Sequence, residues 1–259
     1  QIFKLDTKNT SYVIGFLRDR LLLNLYYGKK LKDFDYELSD LAQIGRAFSS
    51  VEEGLDGAGQ ADVHSLDFAT FGNADLRLPS LHLKYTDGSV ISCFKYRSHK
   101  IYGGKPALEG LPATYTETDD EAQSLVITMY DSLKKVDVNL YYTAFEQHDA
   151  IAKHVEIVNN SDETVCITSA LSSSVDFSEM DYDFVHLQGA WARERHIQKT
   201  SLRNGNISVD SKRGASSHHH NPFFALASKN ADEDNGDVYG FNLIYSGNFV
   251  AGTEVDAYN

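Results

Sequence analysis

The stretch VDVNLYYTAF, residues 136–145, decides the fold class of this chain. Its residues alternate between apolar and polar with a period of two, which is the pattern of a strand that buries one face. The side chains predicted to lie on the buried face are Val136, Val138, Leu140 and Tyr142. The stretch therefore predicts a half-buried β-strand.

The same period recurs on both sides of this stretch. Residues 81–94, LHLKYTDGSVISCF, alternate as far as Asp87-Gly88, a pair that suits a tight turn and predicts a hairpin. Residues 150–158 and the run that starts at Thr164 predict two strands separated by a polar turn, and residues 236–258 predict more. Fifteen Tyr and fourteen Phe suit broad pleated faces.

Helix signals are few, and the best is a short amphipathic segment from Ser39 to Phe48. Many strands, short turns and no alternation of strands with helices predict an all-β fold, a large antiparallel sandwich with few short helices. We expect residues 1–259 to form one extended domain. Because the sequence ends at EVDAYN directly after a strand-like run, we also expect a longer polypeptide.

The charge balance bears on the partners. The chain has 24 Lys and Arg residues against 37 Asp and Glu residues, a formal net charge of −13, and no basic cluster. A surface that follows phosphates needs clustered cations, so nucleic acid and anionic membranes are not expected as partners. The N-terminus lacks a signal-peptide pattern, and no run of about 18 apolar residues occurs. We expect a cytoplasmic protein.

A run of three histidines lies in RGASSHHHNPFF, residues 213–224. In a strand His218 and His220 would share one face while His219 points away, so a metal site would need a third ligand from another strand. The alternative is a polar loop or strand end whose imidazoles bond to backbone and water. The pattern favours the loop, and we expect no metal and no cofactor.

A second unusual segment is GAWARERH, residues 189–196, which holds the only tryptophan, Trp191, beside Arg193, Glu194 and Arg195. An indole flanked by guanidinium and carboxylate groups is typical of a sugar site. Tryptophan and arginine are also enriched at interfaces between domains. Both interpretations stay open on the sequence alone.

Acidic residues crowd into VDFSEMDYDF, residues 175–184, and glycoside hydrolysis uses two carboxylates at a defined separation. The four candidates are Asp176, Glu179, Asp181 and Asp183. Sequence spacing does not show that any two face each other. In so acidic a chain we interpret the run as a solvated loop.

Seven runs together resemble, in this order, the N-terminal domain of bacterial α-galactosidases of glycoside hydrolase family 36. The runs are SYVIGFLRDRLLLNLYYGKK, GNADLRLPSLHLKYTDGS, YRSHKIYGGKPALEGLPATY, SSSVDF, DYDFVHLQGAWARERH, RGASSHHHNPFFAL and DVYGFNLIYSGNFVAGTEVD. The resemblance implies a β-supersandwich that precedes a (β/α)8 catalytic barrel in a cytoplasmic enzyme. That enzyme would remove terminal α-galactose from melibiose- and raffinose-type sugars with retention.

The resemblance implies that the catalytic aspartates lie on the barrel, so no catalytic residue is expected in this chain. It also implies a sandwich that continues beyond residue 259 and a homo-oligomer, commonly a tetramer, in which loops of this domain reach a neighbour's active site. The loop in question connects Arg46–Ser49 to Ser65–Arg77, and it departs from the family pattern at Gly45 and over residues 68–70.

Four residues are our candidates for a substrate entrance or an interface: Arg46, Asp67, Trp191 and Arg193. The family carries a comparable RGASSH-x-x-NPF run without a known metal, so the resemblance implies that His218 to His220 shape a loop or an interface. An autonomous carbohydrate-binding module, built on the Trp191 segment, is the alternative to a domain that serves assembly and the substrate entrance.

Overall fold

The computed structural model describes residues 1–33, 35, 38, 61–72 and 77–255. These residues form an all-β structure with several antiparallel sheets, as the sequence predicts. The helix expected from Ser39 to Phe48, and with it Arg46, lies outside the described residues. None of the helices that the structure describes is long and apolar enough to cross a membrane.

Fifteen strands are present in the described residues. In chain order they are β1 (Ile2–Asp6), β2 (Thr10–Leu17), β3 (Leu21–Lys29), β4 (Leu81–Tyr85), β5 (Lys95–Gly103), β6 (Gln123–Asp131), β7 (Val136–Phe145), β8 (Ala150–Asn159), β9 (Val165–Ala170), β10 (Tyr182–Ala190), β11 (Arg193–Ser201), β12 (Gly205–Ser211), β13 (His220–Ser228), β14 (Val238–Asn242) and β15 (Phe249–Val255). Short 3-10 helices span Ala61–Val63 and Glu146–His148.

The chain divides into two compact units. Unit 1 comprises Gln1–Pro106 and Tyr115–Phe177, and unit 2 comprises Ala107–Thr114 and Ser178–Asn259. The expectation of one domain over residues 1–259 stays a prediction.

Unit 1 contains the three-stranded sheet β1-β2-β3, the pair β4-β9 and the four-stranded sheet β5-β6-β7-β8. One apolar cluster joins side chains from all three sheets, including Tyr12, Leu83 and Ile127. The predicted face of β7 is confirmed, because Val136, Val138, Leu140 and Tyr142 are each at most 2% exposed. Alternation with a period of two therefore sets which face of this sheet meets the core.

Of the hairpin predicted at Asp87-Gly88, the turn is confirmed and the second strand is wrong. The turn forms, and Gly88 has the positive φ of 83° that such turns require of glycine. Residues 89–94 do not form a strand, and β4 pairs with β9 instead. Within this segment a side chain takes the backbone hydrogen bond that a strand partner would otherwise accept, because the Cys93 amide donates to the Asp131 carboxylate at 2.7 Å.

Unit 2 contains the sheet β11-β10-β13-β14 and the pair β12-β15. Its interior is built on stacked rings: the centroids of Phe184 and Phe224 lie 5.0 Å apart, and those of Phe224 and Phe241 lie 4.7 Å apart. Phe184 is fully buried. This stack fixes β10, β13 and β14 against one another, which positions the connections at the ends of these strands.

A histidine in unit 1 makes the stability of the chain dependent on pH. His154, on β8, stacks on Tyr141 with ring centroids 4.1 Å apart. Burial, then the charge of Lys105, lower the pKa of His154 to about 4, against the opposing influence of Glu156. The unfolded chain, with a His pKa near 6.5, binds more protons between these values, so this group removes stability as the pH falls from about 6.5 towards 4.

We therefore expect His154→Gln to lose less thermal stability than the wild type between pH 7 and pH 4.5. His154→Gln loses the stacking contact with Tyr141 at both pH values. The change in melting temperature between the two pH values therefore does not include this loss. His148→Gln, at an exposed position, is the matched control and should keep the wild-type slope. An unchanged slope in His154→Gln would contradict the assignment.

Candidate functional site

A buried ion pair lies in the interior of unit 1. The carboxylate of Asp67, which is 1% exposed, accepts hydrogen bonds from the hydroxyls of Tyr12 and Tyr142. The Lys153 ammonium group lies 3.1 and 3.2 Å from its two oxygens and also donates to the Ser174 carbonyl at 2.9 Å. The charge of Asp67 is thus paired and hydrogen-bonded, as a charge at this depth requires.

Strands of two sheets hold this group together. Tyr12 lies on β2, whereas Tyr142 and Lys153 are cross-strand neighbours on β7 and β8. The Asp67 amide donates to the Leu22 carbonyl of β3 at 2.9 Å. Burial, together with the charge of Asp67, raises the pKa of both tyrosines, so their hydroxyls stay protonated and remain donors.

The oxygens of Asp67 point into the interior and are bound by protein groups. The expectation that Asp67 belongs to a substrate entrance or an interface stays a prediction. The adjoining cavity has a volume of about 10 Å³, enough for one water molecule. These contacts of Asp67 anchor the segment 61–67 to the strands β2, β7 and β8.

A second ion pair, between Arg77 and Asp176, holds the segment that carries Asp67. Arg77 and Asp176 approach to 2.7 Å, and the same Asp176 oxygen accepts the Leu66 amide at 2.9 Å. Arg77 also donates to the carbonyls of Ala61 and His64 at 3.1 and 2.8 Å. Arg77 therefore holds the start of the segment 61–67, and Asp176 and Lys153 hold its end.

The acidic run from Asp176 to Asp183 is solvated only in part. Glu179 and Asp181 are exposed, as predicted. Asp183 lies buried on β10, with Lys229 at 2.8 Å and Lys199 at 3.1 Å. Its bond to Lys229, then that to Ser201, hold the pKa of the Asp183 carboxyl well below its usual range. The prediction of a solvated loop is thus wrong for Asp176 and Asp183, which are structural.

The tryptophan segment comprises the end of β10, the connection Trp191-Ala192 and the start of β11 in unit 2. Trp191 is 86% exposed, and Arg193 is exposed beside it. The Glu194 carboxylate accepts the Ala192 amide at 2.9 Å. Ala192 and Arg195 have φ values of 62° and 59°, a conformation that residues other than glycine rarely adopt. Such backbone conformations cluster at functional sites.

The register shows why the backbone takes this course. Gln188 pairs with His196 and Ala190 with Arg193, so Gly189 alone faces both Glu194 and Arg195. A Cβ atom on Gly189 would lie 2.2 Å from the Arg193 carbonyl oxygen, which leaves glycine as the residue that fits. The result is a β-bulge, a device that turns side chains away from their regular alternation.

A second irregularity lies on the opposite edge of β10. His186 pairs with Phe224 and Gln188 with His220, so the single residue Leu187 faces residues 221–223 of β13. Both neighbours of β10 thus carry extra residues at the level of Gln188. The extra residues on β13 include Asn221 and Pro222.

These two irregularities border one open cleft of about 530 Å³ within unit 2. Its lining residues are Glu194, Arg195, Ser216, Ser217, His218, Asn221 and Pro222. The tryptophan segment and the histidine run, which the sequence presented as separate motifs, therefore meet in space. The sequence could not show this, because it does not reveal that β11 and β13 both pair with β10.

The histidines of this run do not assemble a metal centre. Within the described part of the chain no group of three or more His, Cys, Asp or Glu side chains is placed to hold a metal ion. His218 stacks on His219 with ring centroids 4.7 Å apart and lines the cleft. The ring centroids of His220 and His186 lie 5.9 Å apart. The imidazole of His218 thus contributes to the polar lining.

The cleft offers both donors and acceptors at closely spaced positions. Arg195 supplies a guanidinium group, Glu194 a carboxylate, and Asn221 an amide, with hydroxyls from Ser216 and Ser217. One cation and one carboxylate leave it without a strong excess of either charge. Such a lining can bind a ligand that carries several hydroxyl groups.

Comparison with known proteins gives one consistent result. The profile of the glycosyl hydrolase family 36 N-terminal domain matches residues 20–259. The chain is 41% identical over 256 residues to alpha-galactosidase AgaA of Geobacillus stearothermophilus, covering 99% of this chain and 35% of the relative. It is 34% identical over 259 residues to alpha-galactosidase Mel36A of Lactobacillus acidophilus, covering 100% of this chain and 35% of the relative.

The fold agrees with these relationships. The crystal structure of the Geobacillus enzyme superimposes with a TM-score of 0.95 at 41% identity, covering 100% of this chain and 36% of that one. A variant of that enzyme in complex with raffinose has been solved and matches this chain equally well. The chain thus spans about a third of the length of the curated relatives that it matches. On this evidence the chain belongs to the glycosyl hydrolase family 36 N-terminal domain family.

Proposed function

We propose that this chain is the non-catalytic N-terminal part of an α-galactosidase that releases terminal α-galactose from melibiose- and raffinose-type sugars with retention. The carrying observation is the family match over residues 20–259, together with relatives about three times as long. The engagement of Asp67, Asp176 and Asp183 in ion pairs within the domain supports a non-catalytic role.

The partners that fit this proposal are a (β/α)8 barrel on the same polypeptide, other copies of the protein in a homo-oligomer, and α-galactosides, in the cytoplasm. The exposed Trp191 and Arg193 are the candidates for contacts at the substrate entrance or at an interface. Arg46 belongs to the same proposal, although it lies outside the described residues. The buried Asp67 would act from the interior by holding residues 61–67.

The test compares the full open reading frame with the 259-residue chain on a chromogenic α-galactoside. We expect hydrolysis by the longer protein only, because the catalytic carboxylates belong to the part outside this chain. In the longer protein, Trp191→Ala should change KM or the oligomeric state measured by light scattering. Hydrolysis by the 259-residue chain, or its absence from both proteins, would overturn the proposal.

A second function is favoured by one observation, the polar cleft of unit 2. An autonomous carbohydrate-binding module needs a site of its own within the domain, and the cleft is the candidate.

A further inference from the structure

We propose that the cleft of unit 2 is a binding site for a neutral saccharide, formed by Glu194 and Arg195 of β11 and by residues 216–222. It would work without any residue from outside this chain. The proposal does not depend on whether the longer protein hydrolyses galactosides, so either can fail while the other stands.

The backbone around the cleft is the first argument. Two irregularities flank one level of β10, and they place Glu194 and Arg195 on one side and Asn221 and Pro222 on the other. Regular strands would have directed these side chains alternately to opposite faces of the sheet. Bulges occur next to binding sites because they redirect side chains in this way.

Conformational strain is the second argument. Arg195, on β11, has a φ of 59°, and Ala192, in the connection before this strand, has a φ of 62°. Residues other than glycine adopt such conformations at an energetic cost, and these conformations persist where the surrounding structure enforces them. Gly189, whose missing Cβ leaves room for the Arg193 carbonyl, permits the bulge that sets Arg195 in this conformation.

The chemistry of the lining decides the class of ligand. Arg195 presents a forked donor, and charge-assisted hydrogen bonds of this kind are the strong ones. Glu194 keeps one carboxylate oxygen beyond that which accepts the Ala192 amide. A phosphate or carboxylate ligand would be attracted by Arg195 and repelled by Glu194, whereas vicinal hydroxyls donate to one and accept from the other. The lining therefore favours a sugar over an anion.

Size and the neighbouring indole agree with this assignment. A volume of about 530 Å³ falls within the roughly 300–1,000 Å³ of ordinary small-molecule sites. Trp191, three residues before Glu194, leaves 86% of its surface exposed in unit 2. A large exposed ring on the connection that borders a polar cleft is available to pack against the apolar faces of a sugar ring.

The test titrates the 259-residue chain with raffinose, using calorimetry and the fluorescence of Trp191, which is the only tryptophan in the sequence. We expect saturable binding with a Kd between micromolar and millimolar, and about tenfold weaker binding in Arg195→Asn. Asparagine tolerates the left-handed conformation, so this substitution removes the guanidinium group with little strain. Asn221→Ala is a second variant on the opposite wall, and it should also weaken binding.

Arg203→Asn, at an exposed position of unit 2, is the matched control and should bind as the wild type does. Urea unfolding of each variant verifies that it is folded. The absence of saturation up to roughly 10 mM raffinose would overturn the proposal, because a site with a Kd of at most about 1 mM is nearly saturated at this concentration. Displacement of raffinose by inorganic phosphate would instead identify an anion site, and unchanged affinity in both wall variants would exclude this cleft.

Discussion

Replacing Lys153 with methionine should lower the free energy of unfolding by about 3–5 kcal/mol, because it leaves a buried carboxylate without its cation. Asp67 is 1% exposed and Lys153 is its counter-ion at 3.1 Å. The hydroxyls of Tyr12 and Tyr142 would remain as donors, but neutral donors do not neutralise the charge. Urea denaturation followed by circular dichroism measures the loss.

Two further variants separate the charge from the packing of the lysine side chain. The double variant Lys153→Met with Asp67→Asn should regain part of the stability, since the remaining group is then neutral. Lys212→Met removes the cation of an exposed pair, in which Lys212 is 88% exposed, and should cost less than about 1 kcal/mol. If Lys153→Met costs no more than Lys212→Met, the buried pair does not have the role that its geometry indicates.

The strands were predictable from sequence because their signal is local. In β7, the identity of every second residue states which face is buried, and the structure places Val136 and Val138 at 0% exposure. Partner choice is not local. The turn at Asp87-Gly88 forms as its residues require, yet β4 pairs with β9, whose residues lie 80 to 89 positions further along the chain. Nothing in the sequence around β4 distinguishes this partner from the adjacent segment.

The candidate sites were less predictable for the same reason. Asp67 and Lys153 are separated by 86 positions, so the pair becomes visible only when the segment that carries Asp67 lies against β7 and β8. Its sequence signal was limited to a lysine among the apolar positions of β8, opposite Tyr142. The cleft required the register on both sides of β10. Unusual composition did single out the tryptophan and histidine segments, but it could not show that they share a site.

The largest effect in unit 2 is expected for Phe184→Ala, which should lower the free energy of unfolding by about 3–5 kcal/mol. Phe184 is fully buried, and its ring stacks on Phe224 with centroids 5.0 Å apart. Truncation leaves a cavity at the β10 end of the ring stack, where β10 meets β13. Urea unfolding followed by near-ultraviolet circular dichroism, which reports the packing of buried aromatic rings, measures the loss.

Phe184→Ala should therefore shift the midpoint of this transition to a lower urea concentration. Val238→Ala, at a position 58% exposed on β14, should change stability by no more than about 0.5 kcal/mol. The two register irregularities that border the cleft lie in the pairings of β10 with β11 and with β13. The ring stack holds β10 against β13, so loss of the Phe184 ring should disturb both. A folded Phe184→Ala variant should thus also bind raffinose more weakly than Val238→Ala does. Equal midpoints for the two variants would show that the ring stack does not anchor β10.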